Sequence, residues 1–120
     1  MADTVIIKVY EVVGSPLCVA SGDGQKVYEQ IAKALAKRLE VDLSFANVQS
    51  LTSAFLNAAI GQLYGNFSES KIRKSLKVSE MAQEDLVLLK RVVDTAKQYF
   101  KDPERIKRAR NAGLGEGNEK

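Results

Sequence analysis

One stretch near the middle of the chain constrains the fold more than any other: residues 41–65, VDLSFANVQSLTSAFLNAAIGQLYG. Its first five residues alternate apolar and polar side chains, which predicts a strand with one buried face. After a loop at Asn47, the hydroxyl residues Thr52 and Ser53 precede a run of small and apolar residues that predicts a buried helix ending at Gly65. The stretch therefore predicts a strand, a loop and a helix, with two hydroxyl groups at the N-terminus of the helix.

The segments on either side extend this pattern into a small α/β domain. Apolar alternation predicts further strands over residues 4–13, 17–20 and 76–78, and helical spacing predicts amphipathic helices from Ser21 onward and over residues 81–101. We expect the first two strands to pair as an N-terminal antiparallel hairpin. The later strands are each followed by a helix, so right-handed crossovers make them parallel. The predicted fold is a small mixed sheet of about four strands covered by helices.

The segment Ser21-Gly22-Asp23-Gly24 precedes the first long helix, and either Ser21 or Asp23 fits its N-cap. Closely spaced glycines also occur in nucleotide-binding loops. This segment lacks the Gly-Lys-Ser/Thr sequence that places a lysine and a hydroxyl on phosphate and magnesium. An ordinary turn is therefore the favoured interpretation of the two glycines.

The composition restricts the available chemistry. Among 120 residues there is no histidine and one cysteine, Cys18, which lies between Leu17 and Val19 and is expected to be a buried thiol. The commonest general base and the commonest metal ligand are therefore missing. We expect no enzyme activity, no catalytic residues, no metal site and no cofactor.

The net charge of +3 is unevenly distributed, because residues 101–120 hold six basic and four acidic side chains. The rest of the chain is close to neutral, which argues against a nucleic-acid-binding face. No apolar run approaches the roughly 20 residues that span a bilayer, so we expect a cytoplasmic protein. The expected organisation is one domain over residues 1–103, followed by a basic C-terminal helix and a disordered tail over residues 104–120.

The order of elements and the Thr-Ser-x-Phe-Leu-Asn sequence that begins at Thr52 resemble the STAS-like domains of unknown function. The upstream Gly-Ser-Pro-Leu-Cys-Val sequence is similar to that family as well. These domains are related to the STAS domain of bacterial anti-sigma factor antagonists, in which the corresponding loop reads roughly Asp-Ser-Ser/Thr-Gly-Leu-Gly. Laid onto this chain, Ser53 falls at the serine that a partner kinase phosphorylates. Thr52 and Phe55 replace the aspartate and the glycine of that loop.

The resemblance implies a regulatory protein–protein interaction module, with a phosphorylation switch at Ser53. The implied partner is an ATP-binding kinase-like or anti-sigma-type regulator, which would contact Thr52, Ser53, Phe55 and Asn57. Two alternatives remain open for individual residues. Either Thr52 or Ser53 merely caps the helix, and Phe55 packs in the core instead of anchoring an interface.

A second class of function also remains open. In this alternative the domain senses a small ligand or a nucleotide without a phosphoswitch. The binding loops would be residues 15–24 and 50–53, because the ends of strands in α/β sheets commonly hold ligands.

Overall fold

A computed structural model describes residues 3–101 of the chain. The elements, in chain order, are β1 (Thr4–Lys8), α1 (Val9–Val13), β2 (Leu17–Cys18), α2 (Ser21–Ala36), β3 (Glu40–Ser44), β4 (Ser50–Leu51), α3 (Ser53–Ala59), a 3₁₀ helix (Gly61–Gly65), α4 (Glu69–Ser75), β5 (Leu76–Ser79) and α5 (Gln83–Lys101). The class is α/β, as the sequence predicts. The strand predicted at the start of residues 41–65, the short strand β5 and the long helix α5 are confirmed.

The sheet has three parallel strands in the order β1-β3-β5, and β2 pairs with β4 in a separate two-stranded sheet that is also parallel. The expected N-terminal antiparallel hairpin is therefore wrong. The segment after the turn at Pro16 does not return along β1. Instead, Leu17 and Cys18 align with Ser50 and Leu51, more than 30 residues further along the chain.

The segment Val9–Val13 is the helix α1, whereas its β-branched residues suggested a continuation of the first strand. Val9 is fully buried, and Val12 and Val13, at helical spacing from it, pack against the core. Gly14 ends the helix with φ of 79°, and its N–H donates to the Tyr10 carbonyl oxygen. A left-handed glycine in this position is a common helix C-cap.

One face of the three-stranded sheet forms the core. Ile7, Val41 and Leu43 point to this face and are buried beneath the helices, together with Phe55 and Leu56 of α3. The opposite face carries the alternate residues of the same strands. There Ile6 is 62% exposed, and the Ser79 hydroxyl donates a 2.6 Å hydrogen bond to Asp42 Oδ1.

Helices α2 and α3 pack closely because Gly24 has no side chain. A Cβ atom at this position would overlap the Phe55 carbonyl oxygen and would lie 2.9 Å from the Ala58 Cβ. Both Gly22 and Gly24 lie within α2, which begins at Ser21. The expected N-cap at Ser21 or Asp23 is therefore wrong: the N-cap is Ala20, in extended conformation and without a side-chain cap.

Several predictions fall outside the described residues. They are the helix stop at Asp102-Pro103, the domain boundary at residue 103, and the basic helix and tail over residues 104–120.

Candidate functional site

The start of α3 separates the roles of its two hydroxyl residues. Thr52 is the N-cap, with φ of −125° and ψ of 161°, and its Oγ1 accepts a hydrogen bond of 3.2 Å from the Phe55 N–H. The same hydroxyl donates to the Val19 carbonyl oxygen at 2.7 Å. Thr52 therefore both caps the helix and ties it to the chain that follows β2.

Ser53 is the first residue of α3, and its side chain is exposed. Within residues 3–101 its hydroxyl makes no hydrogen bond to another protein group. The sequence left open which residue of this pair caps the helix, and in the structure the cap is Thr52. The Ser53 hydroxyl is free to react or to contact another molecule.

Ser53 lies at one end of a surface groove between α3 and α5. This end has a volume of about 170 Å³, and its polar lining comes from Ser53, Asn57, Arg91 and Thr95. Arg91 is exposed on α5 and is the charged side chain of this lining. Ser53 and Arg91 therefore line the same small space from two different helices.

The groove continues along α5 into an apolar part. This second part has a volume of about 240 Å³ and shares Asn57 and Thr95 with the first. Its far end is formed by Tyr99 and Phe100, and the Phe100 side chain is 40% exposed. From here on, "the α3–α5 groove" denotes both parts, from Ser53 to Phe100.

Asn57, which the resemblance implies to be a partner contact, is exposed on α3 one helical turn beyond Ser53. Phe55 requires a correction. Its side chain is fully buried among the core residues, so the ring offers no surface for a direct contact with a partner. The core alternative for Phe55 therefore applies, as is usual for a large apolar side chain in an apolar run.

Sequence reasoning missed the α5 side of the groove. It assigned that helix no functional residue and did not single out Arg91 or Thr95. The signal that could have found them is their spacing, since Leu88, Arg91, Thr95 and Tyr99 recur every three or four residues and share one face of a helix.

The two loops that the sequence proposed for a small ligand do lie next to each other, because β2 pairs with β4. Their polar groups serve the fold. The Ser15 hydroxyl accepts from the Leu17 N–H at 3.0 Å, and the backbone N–H groups of Gln49 and Ser50 donate to the Pro16 carbonyl oxygen. The buried Cys18 thiol lies in the same region, and burial, assisted by the Asp23 carboxylate, raises its pKa to about 11. The thiol is therefore protonated and unreactive at neutral pH.

Within residues 3–101, no group of three or more cysteine and carboxylate side chains is arranged to hold a metal ion. In the same part of the chain, no helix combines the length and the apolar character that crossing a membrane requires. Besides Cys18, the groups with a shifted pKa are Tyr64, Glu69 and Lys97, which lie near the α4–α5 contact.

A small parallel sheet with helices packed over one face, and an exposed serine at the start of a central helix, defines an α/β domain of STAS-like type. The family model for the STAS-like domain of unknown function matches residues 23–86, which is more than half of the chain. The chain belongs to this family. The match includes Thr52, Ser53 and Asn57 and ends before Arg91. No curated protein and no solved structure matches the chain significantly.

Proposed function

We propose that this STAS-like domain is a regulatory protein–protein interaction module, that the α3–α5 groove receives the partner, and that phosphorylation of Ser53 controls the contact. The observation that supports the switch most directly is that Thr52 and Ser53 have different roles at the start of α3. Thr52 makes both hydrogen bonds that the fold needs there, while the adjacent Ser53 hydroxyl is exposed and takes no part in them.

The groove fits a partner segment that combines an acidic group with an apolar side chain. Arg91 supplies a positive charge beside Ser53, and Tyr99 and Phe100 supply apolar and aromatic surface at the other end. Aromatic and arginine side chains contribute a large share of the binding energy at protein interfaces. The shape and the charge of the groove thus favour an extended or helical segment of another protein over a nucleic acid.

Phosphorylation would reverse the charge at the polar end. The Ser53 oxygen would form a bond to the γ-phosphorus of ATP held by a partner kinase, the bond between that phosphorus and ADP would break, and the hydroxyl proton would be released. The product carries about −1.5 to −2 charges at neutral pH. Arg91 contributes one positive charge, so the phosphate on Ser53 would pair with Arg91 and leave a negative charge in the groove. That charge would repel an acidic segment.

Helix α3 itself adds little to this electrostatic argument. It has seven residues, so the aligned peptide dipoles are few, and its Phe55 N–H is already occupied by the Thr52 hydroxyl. Arg91 is therefore the group that we expect to hold the phosphate. The partner in this proposal is a kinase-like ATP-binding protein or a regulator of the anti-sigma type.

The experiment compares four baits in affinity capture from lysate of the source organism: the wild-type chain, Ser53→Ala, Ser53→Asp and Ser70→Asp. Ser70 is an exposed serine of α4 outside the α3–α5 groove, so its substitution adds the same charge elsewhere. We expect one protein to be retained by the wild-type, Ser53→Ala and Ser70→Asp baits and to be lost with Ser53→Asp. Mass spectrometry of wild-type bait incubated with lysate and ATP should find phosphate on Ser53.

Two results would contradict parts of this proposal. Equal retention of the partner by all four baits would remove the switch but keep the interaction module. If no protein is retained that an excess of untagged wild-type domain displaces from the bait, the interaction module itself is contradicted.

A further inference from the structure

A second cavity, on the neighbouring side of α5, lies between α4, β5 and α5 and has a volume of about 230 Å³. Its interior is apolar. The walls are formed by Ile60, Ile72, Leu76, Val78, Leu89 and Val93. Ile60 and Ile72 are buried, and the other four are partly exposed because α4 and α5 do not close over the edge strand β5.

The mouth of this cavity carries a compact charged cluster. Glu69 Oε2 lies 3.0 Å from Lys97 Nζ and 3.5 Å from Arg73 Nη1, so two cations share one carboxylate. The hydrogen bond and the charge of Lys97 hold the pKa of Glu69 below its usual value, and the same hydrogen bond raises the pKa of Lys97. Glu69 and Lys97 are therefore ionised at neutral pH, and together with the guanidinium group of Arg73, which is always charged, they give the cluster a net charge of +1.

Two further residues near the mouth, Tyr64 and Lys101, also favour an anion. Burial is the main cause of a raised pKa at Tyr64, so its hydroxyl keeps its proton and remains a hydrogen-bond donor. Lys101 lines an adjoining cleft of about 450 Å³ that also contains Tyr64, Glu69 and Lys97. The nearby Asp94 carboxylate is paired at 2.9 Å with Lys90 and also acts on Lys97 and Tyr64, so its charge offsets that of Lys101 and the surplus of one positive charge remains.

We propose that this cavity binds a small amphiphilic monoanion: a carboxylate on a short acyl or aryl body. The apolar body would enter between α4, β5 and α5, and the carboxylate would take the place of Glu69 on Lys97 and Arg73, with the Tyr64 hydroxyl donating to it. The walls need an apolar body, which argues against a free phosphate. The surplus of one positive charge favours a single negative charge over a polyphosphate. A volume below the roughly 300–1,000 Å³ of drug-sized pockets favours a short body.

This site is separate from the surface proposed for the partner. Its α5 residues are Leu89, Val93 and Lys97, whereas the α3–α5 groove uses Arg91 and Thr95. The Phe100 ring lies between the adjoining cleft and the groove. Neither Ser53 nor Asn57 lines the cavity. The proposal for this cavity can therefore be right or wrong independently of the proposal for the α3–α5 groove.

Octanoate is the probe for this proposal, with octan-1-ol and butanoate as matched ligands that lack the charge or the longer body. The full chain, labelled with ¹⁵N, is titrated and followed by backbone amide chemical shifts. We expect saturable shifts in α4, β5 and the middle of α5. Octanoate should bind at least about tenfold more tightly than either control, because each buried methylene contributes about a fourfold gain in affinity and the charged hydrogen bonds about tenfold or more.

Two substitutions with opposite expected signs distinguish a binding role from a structural one. Lys97→Gln should weaken octanoate binding about tenfold, because it removes the cation that meets the carboxylate. Glu69→Gln should tighten it several-fold, because it removes the competing carboxylate and leaves both cations. If these residues only hold α4 to α5, both substitutions should weaken binding or leave it unchanged.

Val93→Phe, which fills the cavity from α5, should abolish octanoate binding, and Lys33→Gln on the exposed face of α2, away from the cavity, should leave it unchanged. Ser53→Asp should also leave it unchanged. The proposal is overturned if wild-type protein shows no saturable shifts, if octan-1-ol binds as tightly as octanoate, or if the shifts cluster around the α3–α5 groove.

Discussion

The Thr52 hydroxyl donates a hydrogen bond of 2.7 Å to the carbonyl oxygen of Val19, a residue 33 positions earlier in the chain. Together with the pairing of β2 and β4, this bond fixes where α3 begins relative to α2. It also determines which of two adjacent hydroxyl residues serves the fold. Ser53, one position later, points to solvent and lines the α3–α5 groove.

Thr52→Val should therefore destabilise the domain, and Ser53→Ala should not. The valine keeps the shape of threonine but loses both the cap to Phe55 N–H and the bond to Val19, so we expect a loss of about 1–2 kcal/mol in the free energy of unfolding. Ser53→Ala should change it by less than about 0.5 kcal/mol. Urea unfolding measures both, and Thr52→Ser, which keeps the hydroxyl, is the control. Equal losses at the two positions would contradict this division of roles.

Gly24 and Gly22 offer a matched pair within the first turn of α2. Gly24→Ala should cost about 1–3 kcal/mol, because the added methyl would overlap the Phe55 carbonyl oxygen and the Ala58 Cβ, which cannot move without separating α2 from α3. At Gly22 a Cβ meets nothing within 4 Å, so Gly22→Ala should stabilise the domain by up to about 1 kcal/mol through helix propensity. Thermal unfolding of the two variants should shift in opposite directions. Shifts in the same direction would exclude the close approach at Gly24.

The features that the sequence predicts correctly are those determined by local periodicity. The alternation over Val41–Phe45 and the 3.6-residue repeat of α5 require no knowledge of distant residues, and both elements are present. The pairing of β2 with β4 could not be predicted in this way, because two-residue strands carry no pattern of their own and their partner is distant in sequence.

The helix α1 shows a different kind of failure. Its β-branched residues favour a strand locally, yet burial of Val9 and packing against α2 outweigh that preference. The feature of the sequence that could have indicated a helix here is Gly14, which follows it as a left-handed C-cap. For the candidate site, the position of Ser53 follows from the strand–loop–helix pattern. The contribution of Arg91 depends on how α5 crosses α3, which no local pattern reveals.

The Cys18 thiol should make stability depend on pH in the alkaline range. In the unfolded chain the thiol has its ordinary pKa of 9.0, whereas burial and Asp23 raise the pKa to about 11 in the folded protein. Between these values the unfolded state loses a proton that the folded state keeps. The stabilisation is therefore complete below pH 9 and is lost as pH rises toward 11, by about 2–3 kcal/mol in all.

The measurement is the difference in free energy of unfolding between wild type and Cys18→Ala from pH 8 to pH 11. Lysines and tyrosines titrate in both proteins, so their contributions cancel in the difference. The wild-type curve should fall toward the variant curve as pH rises. Parallel curves would show that the thiol titrates equally in both states.

The electrostatic relation between position 53 and Arg91 can be tested without knowing the partner. Ser53→Asp places a carboxylate at the polar end of the α3–α5 groove, where Arg91 should attract it and the start of α3 should favour it slightly. In a double-mutant cycle with Arg91→Gln, we expect a coupling of about 0.3–1 kcal/mol in the free energy of unfolding, decreasing with added salt. The same cycle with Lys90→Gln, the adjacent residue that is paired with Asp94, should give no coupling. If both cycles give zero, Arg91 is too far from residue 53 to hold a phosphate, and the charge reversal proposed for the groove would need a different cation.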